Sequence, residues 1–349
     1  MLSPVLDDLK YIHERDAQDA LGVAEKQWQQ YQHEYGFSWQ PPHNIHQVVV
    51  AGMGGSGLAA KVAKSWPGLP VPYEIVQDYE LPQYTDKNTL LICSSYSGNT
   101  EEVLSAFEQA MAMPEQERPM LVAVASGGKL LEAAQAQGAP HVQLPGGYQP
   151  RMTIGFQFRA LLEILSQAGL DGAMEQLHQA SNWLHQEIAT WLPTVPTAKN
   201  PAKQLATALM GKSVVVYAGP KLFPAAFKWK ISFNENAKNI AWCYALPEFN
   251  HNEMLGWTSH PTDKPYAVID LRSNQEHERT QKRFEITDRL LSGKRPAAHV
   301  VEAHGDTLLH QLLWLLTFGE FTSLYLAMLN GLNPTPIDLI EKFKQALAS

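Results

Sequence analysis

Apolar residues along the chain fall into two recurring patterns. Short runs rich in Val, Ile and Leu, bounded by Gly, Pro or polar residues, read as buried strands, and longer segments with apolar positions three and four apart read as helices between them. The runs are QVVVA at 47–51, YEIV at 73–76, LLICSS at 90–95, MLVAVA at 120–125 and HVQL at 141–144, with helices expected from about Leu58, Thr100 and Lys129. Two helical patterns, near 155–169 and 173–191, lead into WLPTVPTAKNP, where three prolines predict a linker at 192–201. The rhythm then resumes: SVVVYAG at 213–219, a helix over 224–235, NIAWCYAL at 239–246, PYAVIDL at 265–271, a helix over 275–291, HVVEAHG at 299–305 and two closing helices. Upstream, residues 1–40 read as polar and helical, and Pro41 and Pro42 end that stretch.

Strands alternating with helices are the rhythm of parallel sheets wound with helices, so the fold class expected is α/β. The organisation expected is an N-terminal helical segment (1–44), a first α/β domain (45–150), a helical connection (151–198) and a second α/β domain with C-terminal helices (199–349). A chain of 349 residues is long enough for two domains. The likeness of VVVAGMG to VVVYAGP suggests duplication but is too short to demonstrate it.

Composition removes several classes of function. With 45% hydrophobic and 18% charged residues the chain is not disordered. Lys and Arg number 27 against 35 Asp and Glu, for a net charge of −8, and no dense basic block occurs, so nucleic acid is not an expected partner. The N-terminal residues MLSPVLDDLKYIHERD are charged, without an apolar signal core. The most apolar later run, LLHQLLWLLTFGEFTSLYLAML, is interrupted by His310, Gln311 and Glu320 and reads as a buried helix rather than a membrane span. Cys93 and Cys243 lie far apart and form no CxxC, which indicates neither a disulfide framework nor a zinc site. The compartment expected is the cytoplasm.

Two segments carry candidate chemistry. Gly52-Met53-Gly54-Gly55-Ser56-Gly57 follows a strand and opens a helix, so its backbone can approach an anion while helix N–H groups face it. The same letters satisfy GxGxxG, with Asp78 as an acidic ribose partner, so a dinucleotide, another phosphate or a simple tight turn all fit. The second segment, SSYSGNTEE at 94–102, is a hydroxyl-rich turn at the end of another strand, which a dinucleotide fold does not require. Its hydroxyls and N–H groups can wrap a phosphate, and Glu102 is expected to cap the helix by reaching back to Asn99; a plain N-capped helix after a Ser-rich loop is the alternative.

These segments, together with Pro150-Arg151, Asn234-Glu235-Asn236-Ala237-Lys238 and Glu248-Phe249-Asn250-His251-Asn252-Glu253, resemble in order and across nearly the whole chain the bifunctional phosphoglucose/phosphomannose isomerases of the sugar isomerase (SIS) superfamily. The resemblance implies two SIS domains, each a parallel sheet flanked by helices in three layers, working as a homodimer with no metal and no cofactor. It also implies a sugar-phosphate substrate, held by Gly54, Gly55, Ser56, Ser95, Ser97 and Thr100, and Arg151 as partner to an enediolate. Glu235 would carry a proton between C1 and C2, and His251, supplied by the neighbouring subunit, would assist ring opening.

Taken alone, Glu235 sits in a polar helical stretch where a solvated carboxylate is the ordinary outcome, and Arg151 fits a surface ion pair equally well. The family pattern also implies a substrate hydroxyl from Thr322. Met152 and Thr153 depart from the small or hydroxylic residues usual beside the arginine and are expected to reshape that pocket. A late lysine found in some members has no counterpart near Ala327, unless Lys342 or Lys344 folds back. The competing functions are a non-catalytic SIS-type sugar-phosphate sensor, for which no DNA-binding motif is attached, and a nicotinamide-dependent oxidoreductase on the GxGxxG reading.

Overall fold

The computed structural model describes residues 4–170, 173–258 and 265–347. They form two compact units, one of residues 26–184 and one of residues 1–25 with 185–349. Three short helices open the chain: α1 (Leu9–Arg15), α2 (Ala20–Glu25) and α3 (Gln27–Gln30). The unit of 26–184 continues with β1 (Gln47–Ala51), α4 (Gly54–Ser65), β2 (Tyr73–Val76), β3 (Thr89–Ser94), α5 (Glu101–Ala112), β4 (Met120–Ala125), α6 (Gly128–Ala136), β5 (His141–Gln143), α7 (Ile154–Gln167) and most of α8 (Met174–Ile188). The other unit contains α9 (Pro201–Leu209), β6 (Ser213–Ala218), α10 (Phe223–Glu235), β7 (Ala241–Ala245), α11 (Glu253–Gly256), β8 (Tyr266–Arg272), α12 (Glu278–Leu291), β9 (His299–Glu302), α13 (Leu308–Leu329) and α14 (Asp338–Leu347).

The first sheet runs β2-β1-β3-β4-β5 and is parallel throughout, with Val48 opposite Tyr73, Gln47 opposite Thr89 and Leu90 opposite Met120. Every residue of β3 and β4 is buried, as a parallel strand covered on both faces requires. Val49, Ala51, Leu91, Cys93, Leu121 and Ala123 project to one face and pack under Val103, Phe107, Leu130 and Leu131 of α5 and α6. Because β2 and β3 lie on opposite sides of β1, right-handed crossovers send α4 to the opposite face from α5, where it packs with α7.

The second sheet, β7-β6-β8-β9, repeats the plan with Val214 opposite Ala241, Ser213 opposite Tyr266 and Ile269 opposite His299. Phe284 and Leu291 of α12 cover Val215, Tyr217 and Val268 on one face. On the other, α10 packs against α13, whose apolar stretch is 89% buried within the protein and serves as a core helix. Each unit is thus a three-layer α/β sandwich.

Several expected elements differ in extent. After a turn at 31–32, residues 33–40 are irregular rather than helical, with His33, Tyr35, Phe37 and Trp39 half-buried and the residues between them exposed. Tyr35 Oη donates to Phe156 O at 2.8 Å and the Phe37 N–H to Glu163 Oε1 at 2.9 Å, which fastens this strap along α7. Helix α4 begins at Gly54, inside the glycine loop, not near Leu58.

Residues 1–44 are shared between the units, and the proline-rich stretch 192–201 is built into the second. There the buried Lys203 ammonium donates to the carbonyls of Leu6, Pro193 and Val195 at 2.6, 2.8 and 2.9 Å, while Asp7 Oδ1 accepts both the N–H and the hydroxyl of Thr197 at 2.7 Å. A single buried cation therefore pins the start of the chain to the segment before α9.

Candidate active site

In the first sheet the chain leaves β1 for β2 on one side and enters β3 on the other, so the loops after β1 and β3 diverge at the carboxyl edge and open a crevice between them. This edge is fixed by the Gly52 N–H to Val76 O at 3.1 Å and the Ser95 N–H to Val124 O at 2.9 Å. Both loops run straight into helices, α4 and α5, and neither helix has a side-chain cap on its first turn. Two helix N-termini, each carrying partial positive charge, thus frame one crevice.

Hydroxyls line the same place. Ser95 Oγ and Thr100 Oγ1 share a hydrogen bond of 2.8 Å, Ser95 Oγ also accepts the Gly98 N–H at 3.1 Å, and Ser97 Oγ accepts the Asn99 N–H at 3.3 Å. Ser56 Oγ, from the other loop, accepts the Tyr96 N–H at 3.2 Å. Ser56 and Ser95 are buried and Ser97 is exposed. The expected reach of Glu102 back to Asn99 is replaced: the N-cap is Thr100 and the Asn99 N–H goes to Ser97 Oγ, while Asn99 Oδ1 accepts the Lys129 N–H at 3.1 Å.

A third segment meets these loops. Gly54 has φ +49°, and a Cβ on Gly55 would stand 2.7 Å from Pro150 O, so only glycine lets the Pro150–Met152 turn press against the loop. Arg151 in that turn is 2% exposed, with Nη1 3.4 Å from Gln149 Oε1. Thr153 Oγ1 donates to Pro150 O at 2.8 Å, Gln157 Nε2 to Thr153 Oγ1 at 2.8 Å, and Gln30 Nε2 to Met152 O at 2.9 Å. Met152 and Thr153, expected to reshape the pocket, are buried and build the turn that carries the arginine.

The structure thus brings Gly54, Gly55, Ser56, Ser95, Ser97, Thr100 and Arg151 together within one unit. Asp78 is exposed and its Oδ1 accepts the neighbouring Tyr79 N–H at 2.7 Å.

The remaining predicted residues belong to the second unit. Glu235 ends α10 and is half-buried; His251 ends a 3-10 turn, 248–251, and is exposed. Asn239 Nδ2 donates to Lys212 O at 3.0 Å, at the amino edge of the second sheet, whereas the Leu246 N–H reaches Ala218 O at 2.9 Å, at the carboxyl edge. Strand β7 crosses the sheet between these points, so Glu235 and His251 belong to opposite edges. His251 is flanked by fixed neighbours: Asn250 Nδ2 donates to Thr287 Oγ1 at 2.9 Å, Arg283 Nη1 to Asn250 Oδ1 at 3.2 Å, and Asn252 Nδ2 to Glu248 Oε1 at 2.7 Å.

Thr322 is fully buried in α13 and donates to Phe318 O at 2.8 Å, the common arrangement of a threonine inside a helix. Lys342 and Lys344 are exposed on α14, where Lys344 pairs with Glu341 at 2.9 Å.

Sequence reasoning missed Glu276. The second sheet has its own switch point, between β6 and β8, and the loop after β6 leads into α10. There Glu276 Oε1 accepts the N–H groups of Lys221 and Leu222 at 2.8 and 3.2 Å, and its carboxyl fills the space a Cβ on Gly219 would need. Burial pushes this carboxyl's pKa up, against the opposing effect of the two N–H groups. In the sequence Glu276 looks like one more acid in the first turn of the helix expected from 275; nothing near it points to a loop 55 residues upstream.

Comparisons with known proteins agree with this architecture. Residues 198–347 match the family described as the bacterial phospho-glucose isomerase C-terminal SIS domain. The chain is 32% identical over 303 residues to a bifunctional phosphoglucose/phosphomannose isomerase of Aquifex aeolicus, covering 86% of this chain and 90% of that protein. A protein of the same name from Caldicellulosiruptor bescii is 33% identical over 315 residues, covering 87% and 90%. Among solved structures, a glucose-6-phosphate isomerase like protein from Thermus thermophilus superposes with a TM-score of 0.62 at 21% identity, over 96% of this chain and 99% of that one. Two glycine- and hydroxyl-lined loops at one switch point, two parallel sheets and sequence identity over nearly the whole length lead to one conclusion: the chain belongs to the bifunctional phosphoglucose/phosphomannose isomerase family.

Proposed function

We propose that the protein is an aldose–ketose isomerase that interconverts glucose 6-phosphate and mannose 6-phosphate with fructose 6-phosphate. The observation that carries this reading is the meeting of two uncapped helix N-termini, four hydroxyls and the buried Arg151 turn at one switch point. The amides of Gly54, Gly55 and Ser56 and the hydroxyls of Ser95, Ser97 and Thr100 bind the phosphate through backbone dipoles and neutral donors.

In the open-chain aldose, Glu235 takes the proton from C2 and the electrons of that C–H bond form the C1–C2 double bond, leaving negative charge on O1. Arg151 stabilises this enediolate. Transfer of the O2 hydroxyl proton to O1 and return of the carried proton to C1 give the ketose. Return of a proton to either face of C2 in the reverse direction yields the glucose or the mannose configuration. Thr322 Oγ1 donates to Phe318 O, so toward a sugar hydroxyl it would serve as an acceptor.

Ring opening is assigned to His251, and the working unit is a homodimer in the cytoplasm. Opposite edges of one sheet, separated by the five residues of β7 at about 3.3 Å each, support a scheme in which one copy supplies Glu235 and the other His251. The exposed apolar face of α14, formed by Leu339, Phe343 and Leu347, supports self-association.

The test is proton NMR of fructose 6-phosphate with the protein in D2O containing a chelator. Both aldose phosphates, with deuterium at C2, are expected. Binding without turnover would replace the isomerase with a sugar-phosphate sensor, and a Glu235→Gln protein that binds substrate and keeps full turnover would remove the base assignment.

A further inference from the structure

Most of α13 is apolar, yet Glu320 lies in its middle, 3% exposed. Its Oε2 accepts from Lys228 Nζ and from Ser232 Oγ (2.9 Å), and its Oε1 from Asn236 Nδ2 (3.0 Å); Asn236 Nδ2 also lies 2.9 Å from Ser323 Oγ. Lys228 Nζ donates in addition to Ser232 Oγ at 2.8 Å. Lys228, Ser232 and Asn236 are spaced four apart, so they form one line along the face of α10 that meets α13, and all three are fully buried.

Burying a lysine and a glutamate together costs several kcal/mol of hydration, and two apolar side chains would pack these helices at least as stably. What the polar line provides is direction. Each carboxylate oxygen is committed to a different turn of α10, which fixes both the rotation of the helix and the place of its last turn. Successive residues are about 100° apart around a helix, so fixing Asn236 against α13 sets the bearing of Glu235 beside it.

The turn that follows is held as firmly. Asn234 Oδ1 accepts the Ala241 N–H at 2.9 Å, Asn330 Nδ2 donates to Ala237 O at 3.1 Å, and Lys238, in a left-handed conformation with φ +50°, donates to Asn333 O and Pro334 O at 3.1 and 2.9 Å.

We infer that Glu320, through Asn236 and with Lys228 as its counter-charge, is a positioning residue that aims the Glu235 carboxylate. This rests on the reading of Glu235 as the base.

Two variants test it. Asn236→Ala cuts the link nearest Glu235 and leaves the Lys228–Glu320 pair intact. The double variant Lys228→Met with Glu320→Leu replaces the pair by apolar groups of similar size. In both, kcat of the folded protein should fall by about 100-fold, in keeping with a small misplacement of a reacting group, while KM for fructose 6-phosphate stays within about twofold. A loss confined to kcat, with KM unchanged in folded protein, is not the behaviour of a merely structural pair. Should the double variant fail to fold, Asn236→Ala decides alone.

Wild-type kcat in folded Asn236→Ala, or in the folded double variant, overturns the inference. Glu235→Gln, measured alongside, separates the two failures. If it abolishes turnover while the positioning variants are unaffected, only the positioning role falls; if it keeps turnover, the base assignment falls first.

Discussion

Ser56 Oγ accepts the Tyr96 N–H at 3.2 Å, and this bond joins the loop that follows β1 to the loop that follows β3. It crosses the crevice where the chain changes direction in the sheet, so the two halves of the anion cradle are held in a fixed relation. Ser56→Ala should raise KM for fructose 6-phosphate by about tenfold, equivalent to about 1.4 kcal/mol and in keeping with one buried hydrogen bond. Steady-state kinetics with kcat read separately checks this, and an unchanged KM would mean that the loops hold their relation without it.

Gly55→Ala acts on the third segment. The added methyl would lie 2.7 Å from Pro150 O, and Thr153 and Gln157 hold that carbonyl in place. Displacing the turn should cost about 1–3 kcal/mol of stability, as overpacking does, and should lower kcat by moving Arg151. Urea unfolding and turnover measured on the same preparation check both effects.

Mixing two inactive proteins tests the sharing of residues between copies. If one copy contributes Glu235 and its partner His251, Glu235→Gln and His251→Ala dimers, allowed to exchange subunits, form hybrids in which one of the two sites is intact. By the symmetry of a dimer, activity should recover to about one quarter of wild type. No recovery, with exchange demonstrated, would place both residues in the same copy's site.

The Glu276 carboxyl gives stability a definite slope with pH. Its pKa in the folded protein is raised by burial above the ordinary value of about 4.3, so the folded state is favoured while the group is protonated. That contribution is complete below the unfolded pKa and is lost as pH rises through the folded one. Relative to Glu276→Gln, wild type should therefore lose stability on going from pH 4 towards neutrality, measured by urea unfolding at successive pH values. Parallel curves for the two proteins would contradict it.

Lys203→Met should destabilise the second unit by about 3 kcal/mol, because it leaves the buried Leu6 carbonyl and the part-buried Pro193 and Val195 carbonyls without their donor. It should also release the N-terminal residues, which limited proteolysis near Asp7 would detect.

Local patterns carried most of the fold. The parallel strands were legible because each is a short apolar run between polar or glycine breaks, and the phosphate loops because glycine and serine follow such runs directly. The start of α4 at Gly54 was not, since glycines carry no apolar periodicity and their helical conformation depends on the crevice they frame. The strap at 33–40 is not legible as such, because the alternation of its aromatic positions is set among polar residues and broken by Gly36. Thr322 comes only from the family pattern, and no local signal announces its bond to Phe318 O one helical turn back. Lys228 and Glu320 are 92 positions apart, and no local signal joins them.

The loop after β6 differs from the loops after β1 and β3 in what meets its amides, and Glu276 is the reason. At the second switch point the loop amides are satisfied by a carboxylate tethered to the same chain. A tethered group meets its partner at an effective concentration on the order of millimolar even when no ligand is in solution. A dissolved anion would therefore have to displace Glu276 before it could reach the Lys221 and Leu222 amides.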